Sequence, residues 1–194
     1  MNPISIISAS TITEADLASV KMGQRFGRLD LQSKLAVAAV SALKVDFSKW
    51  PADRIGICLA ASAGSLTTDV NFWQGRDAVG GPSPTLFAYT LPSAAMGEIA
   101  IHFRLTGPNR CFVGDDKIVL SEAADLIHSG DADACVCVYC ETVSNECGAY
   151  TGLPQVTAAC ALFLKRGEEG RPWRTIDRDM KVLCTLISPV NSAG

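Results

Sequence analysis

The 194-residue chain has few charged side chains, few aromatic side chains and no long apolar segment. Charged residues make up 19% and aromatic residues 7% of the chain, whereas hydrophobic residues reach 48%. No apolar run approaches the roughly 20 residues that cross a bilayer, so we expect no membrane span. No Lys/Arg cluster is longer than a pair and the net charge is −3, which argues against a nucleic-acid partner. We expect the apolar excess to be buried against a partner protein.

The chain also lacks repeats and a low-complexity linker, and we expect no export signal. Its length and uniform composition predict a single domain over 1–194. The N-terminal sequence MNPISIISAS has no positive region ahead of its apolar run and no clear cleavage site. We therefore expect a cytoplasmic protein.

Cysteine is the abundant exception, with eight residues. Four of them form C-x-C-x2-C-x6-C between Cys135 and Cys147. Cys135 and Cys137 lie in the apolar, strand-like run ACVCVYCE, where cysteine behaves as a small hydrophobic residue. Paired Cys-x2-Cys knuckles are missing, and disulfides are rare in the cytosol, so we expect neither a metal nor a cofactor. A zinc or redox protein that uses Cys135, Cys137 and Cys140 is the weakest alternative.

The apolar patterns alternate between strand and helix, which predicts an α/β sheet layered by helices. Strands are expected at 4–8, 54–60, 110–113, 134–141 and 157–165. Helices are expected at 30–43, 66–75, 93–104 and 117–128. We expect a polar loop after the first strand, a Gly/Pro-rich loop over 75–92, and a last extended segment over 173–189.

The stretch from Gly107 to Ala134 has the layout of a nucleophile elbow: a strand, then Gly114, then a helix. The side chain presented at such a turn is Asp115 or Asp116. Either aspartate also suits a helix cap, where it accepts a hydrogen bond from free backbone amides and contributes about 0.5–2 kcal/mol.

These elements resemble the N-terminal half of a β-ketoacyl synthase, a condensing enzyme of the thiolase superfamily. The matching segments are ISIISAS, RLDLQSKLAVAAVSAL, RIGICLAASAGSL, TLPSAAMGEIAIHFRLTGPN, SGDADACVCVYCETVS and TAACALFLKRG. They run in order along nearly the whole chain, and L-P-S…L-x-G-P together with G-D-A-D-A is fairly specific. The resemblance implies a single thiolase-like half: a five-stranded mixed sheet layered with helices, without the C-terminal pseudo-repeat.

The sequence departs from the family at the catalytic positions. The family's catalytic cysteine is the eighth residue after the G-P proline, and counting from Pro108 places Asp116 there. A carboxylate does not replace the thiolate that forms and transfers an acyl thioester. The family histidines belong to the C-terminal half, and His102 and His128 match neither motif. Cys111 lies inside the predicted strand. The resemblance thus implies a homologue that is no enzyme by itself.

The predicted helix over 117–128 has a polar arc and an apolar side. The arc comprises Lys117, Ser121, Glu122, Asp125 and His128, and the apolar side comprises Val119, Leu120, Ala123, Ala124, Leu126 and Ile127. In full-length family members this helix is buried on both sides. We therefore expect the second half to be naturally absent; the alternative is that these polar groups pair with it.

The resemblance implies a chain-length-factor-like subunit that pairs with a complete ketosynthase in fatty-acid or polyketide-type biosynthesis. The chain resembles the short ketosynthase-like partner of aryl polyene biosynthesis, and an acyl carrier protein would be reached through the complex. The dimer strand would comprise Asn109, Arg110, Cys111, Phe112 and Val113. The residues facing the partner's acyl tunnel would be Ala63, Leu66, Tyr89, Thr90 and Leu91.

Two alternatives remain open. Phe87, Tyr89 and Leu91 are equally consistent with ordinary packing. The chain is alternatively an enzyme with a rewired acyl-thioester pocket, in which Asp116 and Lys117 act as an acid/base group. The helix dipole favours the charged form of such an aspartate, which weakens it as a proton donor.

Overall fold

The computed structural model describes residues 3–77, 79–114 and 117–174. The strands are β1 (Ile4–Thr13), β2 (Ile55–Ala61), β3 (Asn109–Val113), β4 (Ala134–Val143), β5 (Val156–Arg166) and β6 (Arg171–Pro172). The helices are α1 (Gln24–Gly27), α2 (Leu31–Ala42), α3 (Leu66–Gln74), α4 (Pro84–Phe87), α5 (Ser93–Phe103), α6 (Lys117–Ser129) and α7 (Asn145–Thr151). Asp115, Asp116 and most of the predicted last extended segment lie outside the described residues.

The strands form one mixed sheet in the order β3-β2-β4-β5-β1-β6. β2 pairs in parallel with β3 and β4, whereas β4–β5, β5–β1 and β1–β6 are antiparallel. This confirms the predicted mixed α/β class with its five main strands. The two-residue β6 makes a sixth strand that was not predicted. Every residue of β2 is buried, as expected for a strand inside a parallel region.

Helices cover both faces of the sheet. α2 and α5 pack on one face, and α6 packs on the other. The N-cap of α2 is Asp30, whose carboxylate accepts hydrogen bonds from Ser33 N at 3.0 Å and from Thr68 Oγ1 at 3.1 Å. Among the described residues, no helix is long and apolar enough to cross a membrane.

Helix α6 has the two-sided pattern predicted from its sequence. All six predicted apolar side chains are buried: Val119, Leu120, Ala123, Ala124, Leu126 and Ile127. Lys117, Ser121 and Asp125 are exposed. Glu122 is half-buried and forms an ion pair with Arg110 of β3, so this member of the polar arc has a partner within the chain.

Three elements differ from the sequence prediction. β1 continues to Thr13 instead of ending in a polar loop, because its serine hydroxyls find acceptors on α2: Ser8 Oγ donates to Leu43 O at 2.7 Å and Ser10 Oγ to Ala39 O at 2.6 Å. The Gly/Pro-rich segment contains α4, which Ser83 caps. α7 was not predicted; Ser144 caps it, and it ends at Gly152 with a φ of 70°.

A close backbone approach at Gly107 and an ion pair of Arg54 lie at the amino-terminal ends of the parallel strands. A Cβ at Gly107 would lie 2.2 Å from Ile55 O, so only glycine permits the chain to pass this close to the start of β2. Arg54 donates to both carboxylate oxygens of Asp133, at 3.1 and 2.9 Å, and to Gly130 O at 2.8 Å. This pairing, with the guanidinium hydrogen bonds, lowers the pKa of Asp133.

Candidate functional site

The three parallel strands β2, β3 and β4 have their carboxyl-terminal ends side by side, and the candidate site lies at these ends. Ala61 of β2 is the register partner of Val113, and Ala60 is the partner of Tyr139. The turn after β2, the turn at Gly114 and the end of β4 therefore lie side by side. In open α/β sheets, the carboxyl ends of the strands are where pockets form.

A buried carboxylate, that of Glu141, accepts hydrogen bonds at the carboxyl-terminal ends of these strands. Glu141 of β4 is 5% exposed and accepts hydrogen bonds from the backbone N–H of Ser62 and, at 3.5 Å, from that of Ala63. Ser62 Oγ is hydrogen-bonded to Tyr139 OH and donates to Gly114 O at 3.5 Å. Gly114 N in turn donates to Ala61 O at 3.1 Å. These bonds join the turn after β2 to both β4 and the elbow.

The structure brings together the two segments that hold the predicted tunnel-facing residues. Ala63 and Leu66 are half-buried in the turn after β2 and at the start of α3. Ser65 Oγ donates to Thr90 O at 2.8 Å and thereby fixes this turn to residues 89–91. Leu91 is 63% exposed. The five predicted residues thus form one region, and their role toward a tunnel stays a prediction.

Tyr89 differs from its neighbours because it is anchored. Its ring packs against the core beneath α2 and α5, and its hydroxyl donates to Glu98 Oε1 at 3.3 Å. Burial, together with the charge of Glu98, raises the pKa of Tyr89, so its phenol stays neutral. The packing alternative therefore describes Tyr89 well. Phe87 and Leu91 are exposed, although the Phe87 ring lies 5.3 Å from that of Phe72.

β3 is the outer strand at one side of the described sheet, and its hydrogen bonds to β2 show which of its backbone N–H groups face outward. Ile57 N donates to Pro108 O at 2.9 Å, and Gly114 N donates to Ala61 O at 3.1 Å. Alternation in a parallel ladder then directs the N–H groups of Asn109, Cys111 and Val113 away from β2. In the described part of the chain, no strand lies on that side. Val113 is 64% exposed beside this edge.

The strand cysteines do not converge on one point. Cys135 and Cys137 face α6, whereas Cys140 faces α2 across the sheet and lies 3.4 Å from Gln32 O. Burial raises the pKa of all three thiols, which disfavours the thiolate that metal binding and redox chemistry need. Their positions on opposite faces of the sheet argue against one zinc site that uses all three.

The two histidines lie apart from the elbow. His128 is in the last turn of α6, at the opposite end of that helix, and His102 is exposed on α5.

The sequence analysis did not identify Ser62, Tyr139 and Glu141, which are hydrogen-bonded to one another at the carboxyl-terminal ends of the parallel strands. The available signal was a charged residue, Glu141, directly after an apolar strand-like run.

A mixed sheet in this order, with helices on both faces, is the fold that this chain shares with solved ketosynthase-like proteins. One solved chain of the ketosynthase ApeO in complex with its chain length factor ApeC from Xenorhabdus doucetiae has a TM-score of 0.66 and 20% identity. The likeness covers 87% of this chain and 81% of that one. A chain of the ishigamide ketosynthase/chain length factor has a TM-score of 0.64 and 19% identity, over 88% of this chain and 64% of that one.

Sequence comparison points the same way. The 3-oxoacyl-[acyl-carrier-protein] synthase 2 of Staphylococcus aureus is 30% identical over 122 residues, which cover 56% of this chain and 29% of that enzyme. The match thus spans less than a third of the length of the curated relative. No family model matches the sequence.

Proposed function

We propose that this chain is a non-catalytic, chain-length-factor-like subunit that pairs with a complete β-ketoacyl synthase and shapes its acyl tunnel. The observation that carries the proposal is the outward-facing edge of β3, which ends at Val113, shortly before Asp116 in the sequence, the position where the resemblance places a cysteine. Two structural neighbours are ketosynthases with chain length factors, which supports a partner of that kind.

The partner would add a strand to β3. The outward N–H groups of Asn109, Cys111 and Val113 provide the hydrogen-bond donors, and an exposed sheet edge is a ready template for pairing. Val113 lies on β3 itself, and it is exposed together with Leu91 and Ile101, so these apolar side chains suit the buried centre of an interface. One continuous sheet would then cross the two subunits.

Catalysis would belong to the partner. An aspartate is a poor substitute for an acyl-accepting thiolate, and burial raises the pKa of the nearby Cys111 thiol. The carrier protein, which the name of the S. aureus relative also mentions, would deliver acyl chains to the ketosynthase. The product class in this proposal is an aryl polyene, and the complex is cytoplasmic. Turnover of acyl-carrier substrates by the purified chain, lost in Asp116→Ala, would instead indicate the rewired enzyme.

Co-expression with a ketosynthase encoded in the same operon tests the pairing. We expect a stable complex that dissociates when Cys111→Pro removes the central outward N–H of β3, because proline cannot donate to the added strand. The matched control Cys111→Ala keeps that N–H and should keep the complex. A stable monomer, together with a ketosynthase that makes full-length product alone, contradicts the proposal.

Product length tests the tunnel assignment. Ala63→Phe places a ring in the turn after β2 and should shorten the product, whereas Tyr89→Ala should lengthen it. Tyr89→Phe is the matched control, since it removes only the hydrogen bond to Glu98 and leaves the ring. Mass spectrometry of the products of each complex measures the change. Unchanged products from both Ala63→Phe and Tyr89→Ala would remove the tunnel role of this region.

A further inference from the structure

Buried polar side chains gather around one short segment of the described chain, residues 62–68, which comprise the turn after β2 and the start of α3. Two of them, Ser65 and Thr68, belong to the segment, and two others, Gln32 and Glu141, reach it from α2 and β4. A buried polar group costs free energy unless a hydrogen bond compensates for its lost hydration. These side chains therefore point to a backbone that is held in one conformation.

The amino-terminal end of α2 holds this segment at two points. Gln32 is 2% exposed, and its Nε2 donates to Gly64 O at 3.1 Å. Asp30, the N-cap of α2, accepts from Thr68 Oγ1 at 3.1 Å. α2 is buried along most of its length and packs on α5, β4 and β5, so it is a stable support. The turn after β2 and the first turn of α3 are thus fastened to the core of the protein.

The turn is confined on its other sides as well. The backbone N–H of Ala63 donates to the Glu141 carboxylate of β4 at 3.5 Å. Gly64 has a φ of 60°, and a Cβ at this position would lie 3.2 Å from Pro92 Cγ and 3.3 Å from Val113 Cγ2. The turn therefore lies closely packed between the end of β3 and the residue that precedes α5, and its backbone has little room to shift.

We propose that Gln32 is a positioning residue: by holding Gly64 O, it fixes the point at which the Ala63 side chain meets the acyl chain in the partner's tunnel. The inference rests on the proposed function and adds a buried residue of α2 to the five predicted tunnel residues. Ala63 is half-buried and carries only a methyl group, so its effect on chain length depends on where its backbone lies. A loosened turn would leave this methyl group in several positions. Loss of the Gln32 bond should therefore widen the range of product lengths, whereas Ala63→Phe shifts its mean.

Amide hydrogen exchange of the isolated full chain, measured over residues 62–68 by mass spectrometry, tests whether Gln32 holds the turn. Gln32→Met keeps a long buried side chain and removes the donor, so exchange in this segment should become roughly tenfold faster. Ser5→Ala is the matched control. Ser5 is 2% exposed and its Oγ donates to Gly167 O at 2.8 Å, so this variant loses a buried bond of the same kind on β1. Exchange over residues 62–68 should not change in Ser5→Ala.

The complex with the ketosynthase tests the effect on product length. By mass spectrometry of the products, we expect Gln32→Met to give a wider range of lengths around an unchanged mean, and Ser5→Ala to give the wild-type range. Thr68→Val keeps the shape of its side chain and removes the bond to Asp30, so it provides a second test if Gln32→Met does not fold. It should also speed exchange at the start of α3 and widen the range of products. Circular dichroism of each variant identifies misfolding.

Three results would overturn the proposal. Unchanged exchange over residues 62–68 in Gln32→Met shows that Gln32 does not hold the turn. Faster exchange with a wild-type range of products removes its effect on chain length. An equally wide range in Ser5→Ala assigns the effect to lost stability instead of position. If the wild-type chain forms no complex with the ketosynthase, the proposed function fails and the product-length role fails with it, whereas exchange in the isolated chain still decides whether Gln32 holds the turn.

Discussion

Removal of the Glu141 carboxylate should loosen the turn after β2 and destabilise the whole chain. Glu141→Ala leaves the N–H groups of Ser62 and Ala63 without their acceptor. A hydrogen bond to a charged group contributes about 1.5–3 kcal/mol, and the bond at 3.5 Å contributes less, so we expect a loss of about 2–4 kcal/mol. For a chain of 194 residues this corresponds to a fall in Tm of roughly 5–15 °C.

Urea and thermal unfolding followed by circular dichroism measure this loss. Glu141→Gln retains one carbonyl acceptor and should lose about 1–2 kcal/mol. Glu168→Ala removes an exposed glutamate and should change stability by less than about 0.5 kcal/mol. A loss below about 1 kcal/mol for Glu141→Ala would refute the view that this carboxylate holds the turn. Because the turn carries Ala63, Glu141→Gln should also broaden the product-length distribution of the complex.

Three further predictions concern the fold. Gly107→Ala should cost about 1–3 kcal/mol or more in urea unfolding, because its Cβ meets the Ile55 carbonyl; an unaffected midpoint contradicts this. Ile99→Ala, in the fully buried face of α5, should cost about 2–5 kcal/mol, whereas a similar cost for the exposed Ile101→Ala would contradict the packing. The folded-state pKa of Asp133 lies below 3.8, so its ion pair stabilises the fold above that pH and is lost as pH falls through the folded pKa. Asp133→Asn should therefore be less stable by under about 1 kcal/mol at neutral pH, and the difference from wild type should disappear in strong acid; a constant difference argues against linkage.

The spacing of apolar residues predicted which side chains are buried in the regular helices and strands. Successive residues of α6 rotate by about 100°, so its sequence identified all six buried side chains. The apolar run over 54–60 likewise predicted a strand, and every residue of β2 is buried. The sequence prediction ended β1 too early, because the polar residues after Ser8 predicted a loop. The hydroxyls of Ser8 and Ser10 instead donate to Leu43 O, at the C-cap of α2, and to Ala39 O within α2, which lie 35 and 29 residues away in the sequence.

The sequence predicted the class of fold and the strand that leads to Gly114, whereas the assignment of Asp116 to the nucleophile position stays a prediction. These depend on periodicity, on glycine and on the order of motifs, all of which are local. Only the tertiary structure decided that Glu141 meets the turn after β2, 79 residues earlier, and that β3 is an outer strand. α7 was likewise invisible, since it forms through its cap and its contact with α3. Sheet order and helix docking set these contacts, and neither is encoded in the spacing of neighbouring residues.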